Sequence, residues 1–186
     1  QECIIVDPGM PDISHDVSSL ISEHGLKPVA ALITHGHLDH TFSVKPLADG
    51  YGIASYIHTE DRDLLLKPQG AHGAEFIATL DAMTFQEPNE VKNLRHGDQI
   101  DLLDMKITAI HSPGHTRGSV MFTVNDELLI SGDVLFAGSI GRTDLPSGSP
   151  EAMQKTLKTR VLPLSDDLRV LPGHGPETTI KFERKN

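Results

Sequence analysis

Short apolar runs alternate with polar stretches marked by glycine and proline along the whole chain. Cys3-Ile4-Ile5-Val6 closes on Asp7-Pro8-Gly9 and reads as a strand running into a tight turn. Val29-Ala30-Ala31-Leu32-Ile33-Thr34 is apolar at consecutive positions, the pattern of a strand buried on both faces. Ala54-Ser55-Tyr56-Ile57 predicts another strand, and residues 168–171 a last short one. Residues 99–110 and 119–130 each predict a hairpin, the second turning near Asn125-Asp126. Helical signals fall between these strands. They cover residues 16–24, ending at Gly25, then residues 42–48, and a segment from Ser149-Pro150-Glu151 to residue 160, with serine as cap and proline in the first turn. Residues 67–88 match no motif. Their apolar stretch at 76–80 is expected as a plain surface helix, with a lid or an interface as alternatives.

Strands interleaved with helices give an α/β protein, and the length suits one domain over residues 1–186, with no linker or internal repeat. The charge balance narrows the partners. With 26 acidic against 16 basic side chains the formal charge is −10, which disfavours binding to nucleic acid or to an anionic membrane. No apolar run approaches the roughly 18 residues of a membrane helix. The single cysteine, Cys3, excludes an intrachain disulfide and reads as a small buried hydrophobe. A cytoplasmic protein is the expectation, although a chain that begins at Gln1 in mid-strand leaves an upstream segment open. Oligomeric state is not legible.

The chemistry concentrates in Thr34-His35-Gly36-His37-Leu38-Asp39-His40, directly after the most apolar strand. Three imidazoles and a carboxylate within six positions are ligands for borderline divalent ions such as Zn, Fe or Mn. Four or five coordination positions need further donors. Three other strand ends supply them. His115 stands in Ser112-Pro113-Gly114-His115-Thr116, Asp133 follows Leu128-Leu129-Ile130-Ser131-Gly132, and His174 stands in Leu171-Pro172-Gly173-His174-Gly175.

In that order, and together with Val6-Asp7-Pro8-Gly9 and Gly141-Arg142-Thr143-Asp144-Leu145-Pro146, these motifs resemble the metallo-β-lactamase superfamily. Within it the similarity is to the glyoxalase II-like branch, the hydroxyacylglutathione hydrolases and their compact single-domain relatives. The resemblance implies a four-layer αββα sandwich, here without its first edge strands, and a site with two divalent ions, zinc first and iron or manganese as alternatives. It implies one ion held by His35, His37 and His115, the second by Asp39, His40 and His174, and Asp133 between them, with Asp39 and Asp133 as the catalytic carboxylates. Asp7 is an outer carboxylate orienting a ligating imidazole in relatives, and the Asp-Pro-Gly turn alone also accounts for it. Arg142 corresponds to a basic substrate contact, with a salt bridge to Asp144 as the alternative, and Ser139 and Thr143 are candidate pocket contacts. His58 reads as structural, and His15, His24, His72 and His96 have no ligand-like context.

Five neutral imidazoles and two carboxylates around two divalent ions leave a net charge of about plus two, which favours a bridging hydroxide. Coordination lowers the pKa of water from about 15.7 toward 7, so no protein nucleophile is needed. The expected activity is hydrolysis of a small-molecule thioester such as S-lactoylglutathione. A full glyoxalase II carries a helical carboxyl-terminal domain with glutathione contacts, whereas this chain stops about a dozen residues after His174, which leaves the thiol carrier open. Two alternatives stand beside it. One is a persulfide dioxygenase with a single iron on His35, His115 and Asp133, and the other a non-catalytic metal-binding module. The Gly-Arg-Thr-Asp motif and the lack of a visible secretion signal weigh against β-lactam hydrolysis.

Overall fold

The computed structural model describes residues 1–73, 76, 78, 80 and 84–186. The first half alternates strand and helix: β1 (Glu2–Val6), α1 (Pro11–Glu23), β2 (Lys27–Leu32), α2 (Leu38–Thr41), α3 (Val44–Tyr51), β3 (Ala54–His58) and β4 (Val91–Leu94). These four strands form one sheet in the order β1-β2-β3-β4, parallel throughout. The second half is strand-rich: β5 (Gln99–Leu102), β6 (Met105–His111), β7 (Val120–Val124), β8 (Leu128–Gly132), β9 (Leu135–Phe136), β10 (Ser139–Ile140), α4 (Pro150–Thr156), β11 (Arg169–Pro172), β12 (Thr178–Thr179) and α5 (Ile180–Glu183). Its six-stranded sheet runs β12-β11-β8-β7-β6-β5, with β9 and β10 as a separate small hairpin.

The side-chain period of two explains why the sheets stack with helices outside. On β1, Ile5 packs with Ile21 of α1 and Val44 and Ala48 of α3, while its neighbours Ile4 and Val6 face the other way, toward the second sheet. On β7, Val120, Phe122 and Val124 point back at the first sheet, and Met121 points outward to Met153 of α4 and Ile180 of α5. Three apolar layers result, one between the sheets and one under each helical face. This is the αββα arrangement expected from the sequence.

Both hairpins form as expected, and Asn125 and Asp126 adopt φ of 52° and 56°, the left-handed pair that a two-residue turn requires. Three helix boundaries differ. α1 starts at Pro11 rather than residue 16, because proline fits the first turn, where its missing N–H has no partner to lose. The helix expected at 42–48 runs instead from Val44 to Tyr51, with Pro46 in its first turn, and Phe42 and Ser43 separate it from the short helix α2 before it. The segment from Ser149 is capped as expected, Ser149 Oγ accepting from Ala152 N at 3.2 Å, but its last turn, Leu157–Val161, is π-helical. Much of the apolar stretch at 76–80 lies outside the described residues. Among the described residues no helix is long and apolar enough to cross a membrane.

Phe122 is fully buried at the centre of the inter-sheet layer. Phe122→Ala is expected to lower stability by about 3–5 kcal/mol, read as a lower midpoint in urea unfolding.

Candidate metal centre

Strand direction brings the candidate ligands together. β6 and β8 are both antiparallel to β7 and so run the same way, and β11 is parallel to β8, which puts the loops bearing His115, Asp133 and His174 at one end of the sheet. β1 and β2 deliver Asp7 and the loop of residues 34–40 from the other sheet, and Val120 N bonds Thr34 O at 2.8 Å across the gap. All seven candidate ligands meet there. His35, His37 and His115 offer donor atoms within 4.8 Å of one another, as do Asp39, His40 and His174, and also Asp7, His35 and His40. Asp133 stands between the first two groups, Oδ2 lying 3.5 Å from both His115 Nε2 and His174 Nε2, and Oδ1 3.4 Å from His40 Nε2.

Hydrogen bonds behind the rings set which nitrogen faces inward. His40 Nδ1 donates to Asp7 Oδ2 at 2.9 Å, and His115 Nδ1 donates to the Arg142 carbonyl at 2.8 Å, so both Nε2 atoms turn toward the cluster. Thr34 Oγ1 donates to Asp7 Oδ2 at 2.6 Å and therefore accepts from His35 Nδ1 at 3.0 Å. Asp7 thus holds two rings, one directly and one through Thr34, and its own φ of 42° bends the chain to do so. Close approach elsewhere needs glycine. A Cβ on Gly173 would land on Asp133 Oδ1 and 2.8 Å from His40 Cε1.

The electrostatics fit a cation. His35 Nε2 and Asp133 Oδ1 are buried on the cluster side without a hydrogen-bond partner, a costly arrangement that a bound ion would relieve, and His37 turns Nδ1 to the cluster, 2.8 Å from His115 Nε2. Burial and the neighbouring imidazoles push His35 well below its usual range and His37 down to about 3, and burial lowers His115 too. These rings are neutral at pH 7 and ready to bind. Burial also raises Asp133. His40 goes the other way. Burial lowers it, but the charge and hydrogen bond of Asp7, with Asp133 and Asp39, prevail and raise it to about 9.

The cluster floors a cavity of about 590 Å³ lined by His37, Asp39, His115, Asp133 and His174 below and by Phe76, Phe136, Ile140 and Leu145 around. Of the three residues expected in its walls, Arg142 lines this cavity. Its guanidinium also forms the pair with Asp144 given as the alternative, bidentate at 2.7 and 2.8 Å with both groups exposed, and its carbonyl accepts from His115 Nδ1. Ser139 lines a separate cavity of about 400 Å³, its neighbour Ile140 reaching the metal-site wall instead. Thr143 lines neither.

Two residues that sequence reasoning left aside belong to the surroundings. His72, set apart as lacking a ligand-like context, lies in the cavity wall with its ring 4.8 Å from His37, and its Nε2 accepts from Leu38 N at 2.9 Å. Asp61 is fully buried beside the loop of residues 34–40, and in sequence it is one acid among several after β3. His58 joins none of the donor groups and stacks on His111, ring centroids 3.9 Å apart.

The family model of the metallo-beta-lactamase superfamily matches residues 1–174. A protein of Mycobacterium leprae without a named activity is 41% identical over 99% of this chain and 85% of its own length. Hydroxyacylglutathione hydrolase GloC of Haemophilus influenzae is 33% identical over 98% of this chain and 84% of its own. Among solved structures, the BLEG-1 B3 metallo-beta-lactamase superposes with a TM-score of 0.88 at 33% identity, covering 100% of this chain and 87% of that one. TTHA1623 in a di-iron-bound form gives 0.78 at 35%, covering 97% and 85%. The chain belongs to the metallo-β-lactamase superfamily, and its histidine and aspartate cluster occupies the position where that fold's strand ends converge.

Two outcomes follow from the packing and the charge. Gly173→Ala is expected to weaken zinc binding at least about tenfold while circular dichroism stays unchanged, because the new methyl displaces Asp133 and His40. His40, raised to about 9, carries a proton at pH 7 that a metal must displace. Zinc affinity is therefore expected to rise by up to about tenfold per pH unit from 7 toward 9 and then level off, measured by competition with a chelating dye.

Proposed function

We propose that the protein is a metal-dependent hydrolase of small thioesters, glutathione thioesters such as S-lactoylglutathione among them. The observation that carries this reading is the convergence of His35, His37, Asp39, His40, His115, Asp133 and His174 at one set of strand ends, five of them (His37, Asp39, His115, Asp133 and His174) flooring an open cavity. GloC supports the choice of a thioester, and the di-iron form of TTHA1623 supports two ions. His35, His37 and His115 would hold one, Asp39, His40 and His174 the other, with Asp133 between.

Divalent ions bound there supply Lewis-acid polarisation of a carbonyl and a water acidified toward neutral pH. The chain's own groups do the rest. Asp39, about half exposed and with Oδ2 3.2 Å from His174 Nε2, is placed to take the proton of an attacking water and release it to solvent. Phe76, Phe136, Ile140 and Leu145 form an apolar rim that limits water around the scissile bond. Addition of water and loss of the C–S bond yield a carboxylic acid and a thiol. The thiolate leaves without a general acid, since thiols have a pKa of about 8.5. Arg142 lines the cavity, and its exposed, weakly held pair with Asp144 leaves the cation within reach of an anionic carrier.

The likeness to BLEG-1 favours β-lactam hydrolysis as a second reading. One set of assays separates these readings: metal content, S-lactoylglutathione and nitrocefin hydrolysis, and oxygen uptake with glutathione persulfide. Nearly two ions per chain, thioester cleavage and no oxygen uptake are expected. Asp133→Asn should lower kcat/KM on the order of a hundredfold or more. Dominant nitrocefin turnover would replace the thioester reading with the β-lactam one, and one iron with persulfide-dependent oxygen uptake would replace it with a dioxygenase. Bound metal with no turnover would leave a binding module.

A further inference from the structure

The reaction described above leaves the buried carboxylate of Asp61 without a task. Asp61 is 0% exposed, and the hydrogen bonds its carboxylate accepts come from none of the candidate ligand side chains. Instead it accepts three hydrogen bonds from two different loops. Oδ2 takes Gly36 N at 2.9 Å and Thr116 Oγ1 at 2.6 Å, and Oδ1 takes Gly118 N at 2.7 Å. Gly36 sits between His35 and His37, and Thr116 and Gly118 follow His115. One carboxylate therefore ties together the backbones that carry three imidazoles.

The packing around it is tight from both sides. A Cβ on Gly118 would meet Asp61 N at 2.5 Å, and one on Gly36 would meet Leu64 Cδ1 at 2.5 Å, in the short helix Arg62–Leu65 that follows Asp61. Asp61 and that helix form a wedge on which both loops rest. Its three partners are neutral donors, and burial pushes the carboxyl pKa up. A carboxylate in such a place costs stability unless all its bonds are made, and an apolar side chain could fill the volume without that cost. What an apolar side chain could not do is fix two N–H groups and a hydroxyl at once.

We propose that Asp61 is a positioning residue for the half of the metal centre built from His35, His37 and His115. Asp7 orients rings through their nitrogens. Asp61 acts one step further back, on the main chain that sets where the three rings start. The inference rests on the metal reading of the cluster under Proposed function.

The test measures zinc affinity by chelator competition in two backgrounds. His174→Ala leaves the half with His35, His37 and His115, and His115→Ala leaves the half with Asp39, His40 and His174. Adding Asp61→Asn, which keeps the volume but turns a donor toward donors, should weaken zinc about 10- to 100-fold in the first background and less than about threefold in the second. The cobalt(II) absorption spectrum should change in the first background alone. Thr116→Val removes one of the three bonds and should give a smaller loss with the same selectivity, which decides the matter if Asp61→Asn fails to fold. Equal loss in both backgrounds, tracking a fall in the urea midpoint of the metal-free protein, would mean a general structural role and overturn the proposal. So would unchanged affinity in both. If the His174→Ala protein with Asp61 intact binds no zinc, the metal reading fails, and this inference fails with it.

Discussion

Five imidazoles crowd one pocket, with His37 Nδ1 2.8 Å from His115 Nε2 and His40 Nε2 3.2 Å from His174 Nε2. Such rings pack together only while nearly all are neutral, with their protons on the side away from the cluster. Charging two neighbours would add repulsion at short range to the cost of burying each charge. The surrounding structure answers that constraint with outward acceptors: Asp7 for His40, Thr34 for His35, the Arg142 carbonyl for His115. Each acceptor comes from a different place in the sequence, so the site exists only when the whole fold has closed.

Strand direction lets those distant pieces meet. Parallel pairing in the first sheet sends β1 and β2 out at one end, and the two antiparallel steps through β7 bring β6 and β8 to the same end of the second. Ligands on strand ends inherit the rigidity of a core whose central residues, among them Ile33, Phe122 and Leu129, have no solvent exposure. Loops supply chemical variety, and the sheets fix their starting points within the narrow tolerance that metal ligands demand.

Much of this was legible from the residues. The alternation of apolar positions gives both hairpins and the layering, and the four strand ends bearing His or Asp define the cluster, because ligand types beside glycine are conspicuous in sequence. The supporting groups are not. Asp61 looks like any acid in a polar turn, since its burial comes from two loops that reach it from 25 and 55 or more residues away. His72 stands in a glycine-flanked stretch and gains its place only from tertiary packing against His37. The alternatives for Arg142 could not be separated by sequence, since a cation two residues from an acid can turn to the pocket or to its neighbour. Helix starts were missed where proline in a first turn resembles a breaker.

The shared anchor Asp7 has a thermodynamic consequence. One carboxylate oxygen, Oδ2, receives both the His40 ring and the Thr34 hydroxyl that steadies His35, and those two rings belong to different donor triads. Any event that orders one ring draws on the same oxygen that orders the other. Were ions to fill both triads, as proposed, filling one would change the free energy of filling its neighbour, and by linkage the reverse change would be equal in size. On the two-ion proposal, that shared oxygen makes the two donor groups a coupled pair, with the coupling carried by a single side chain.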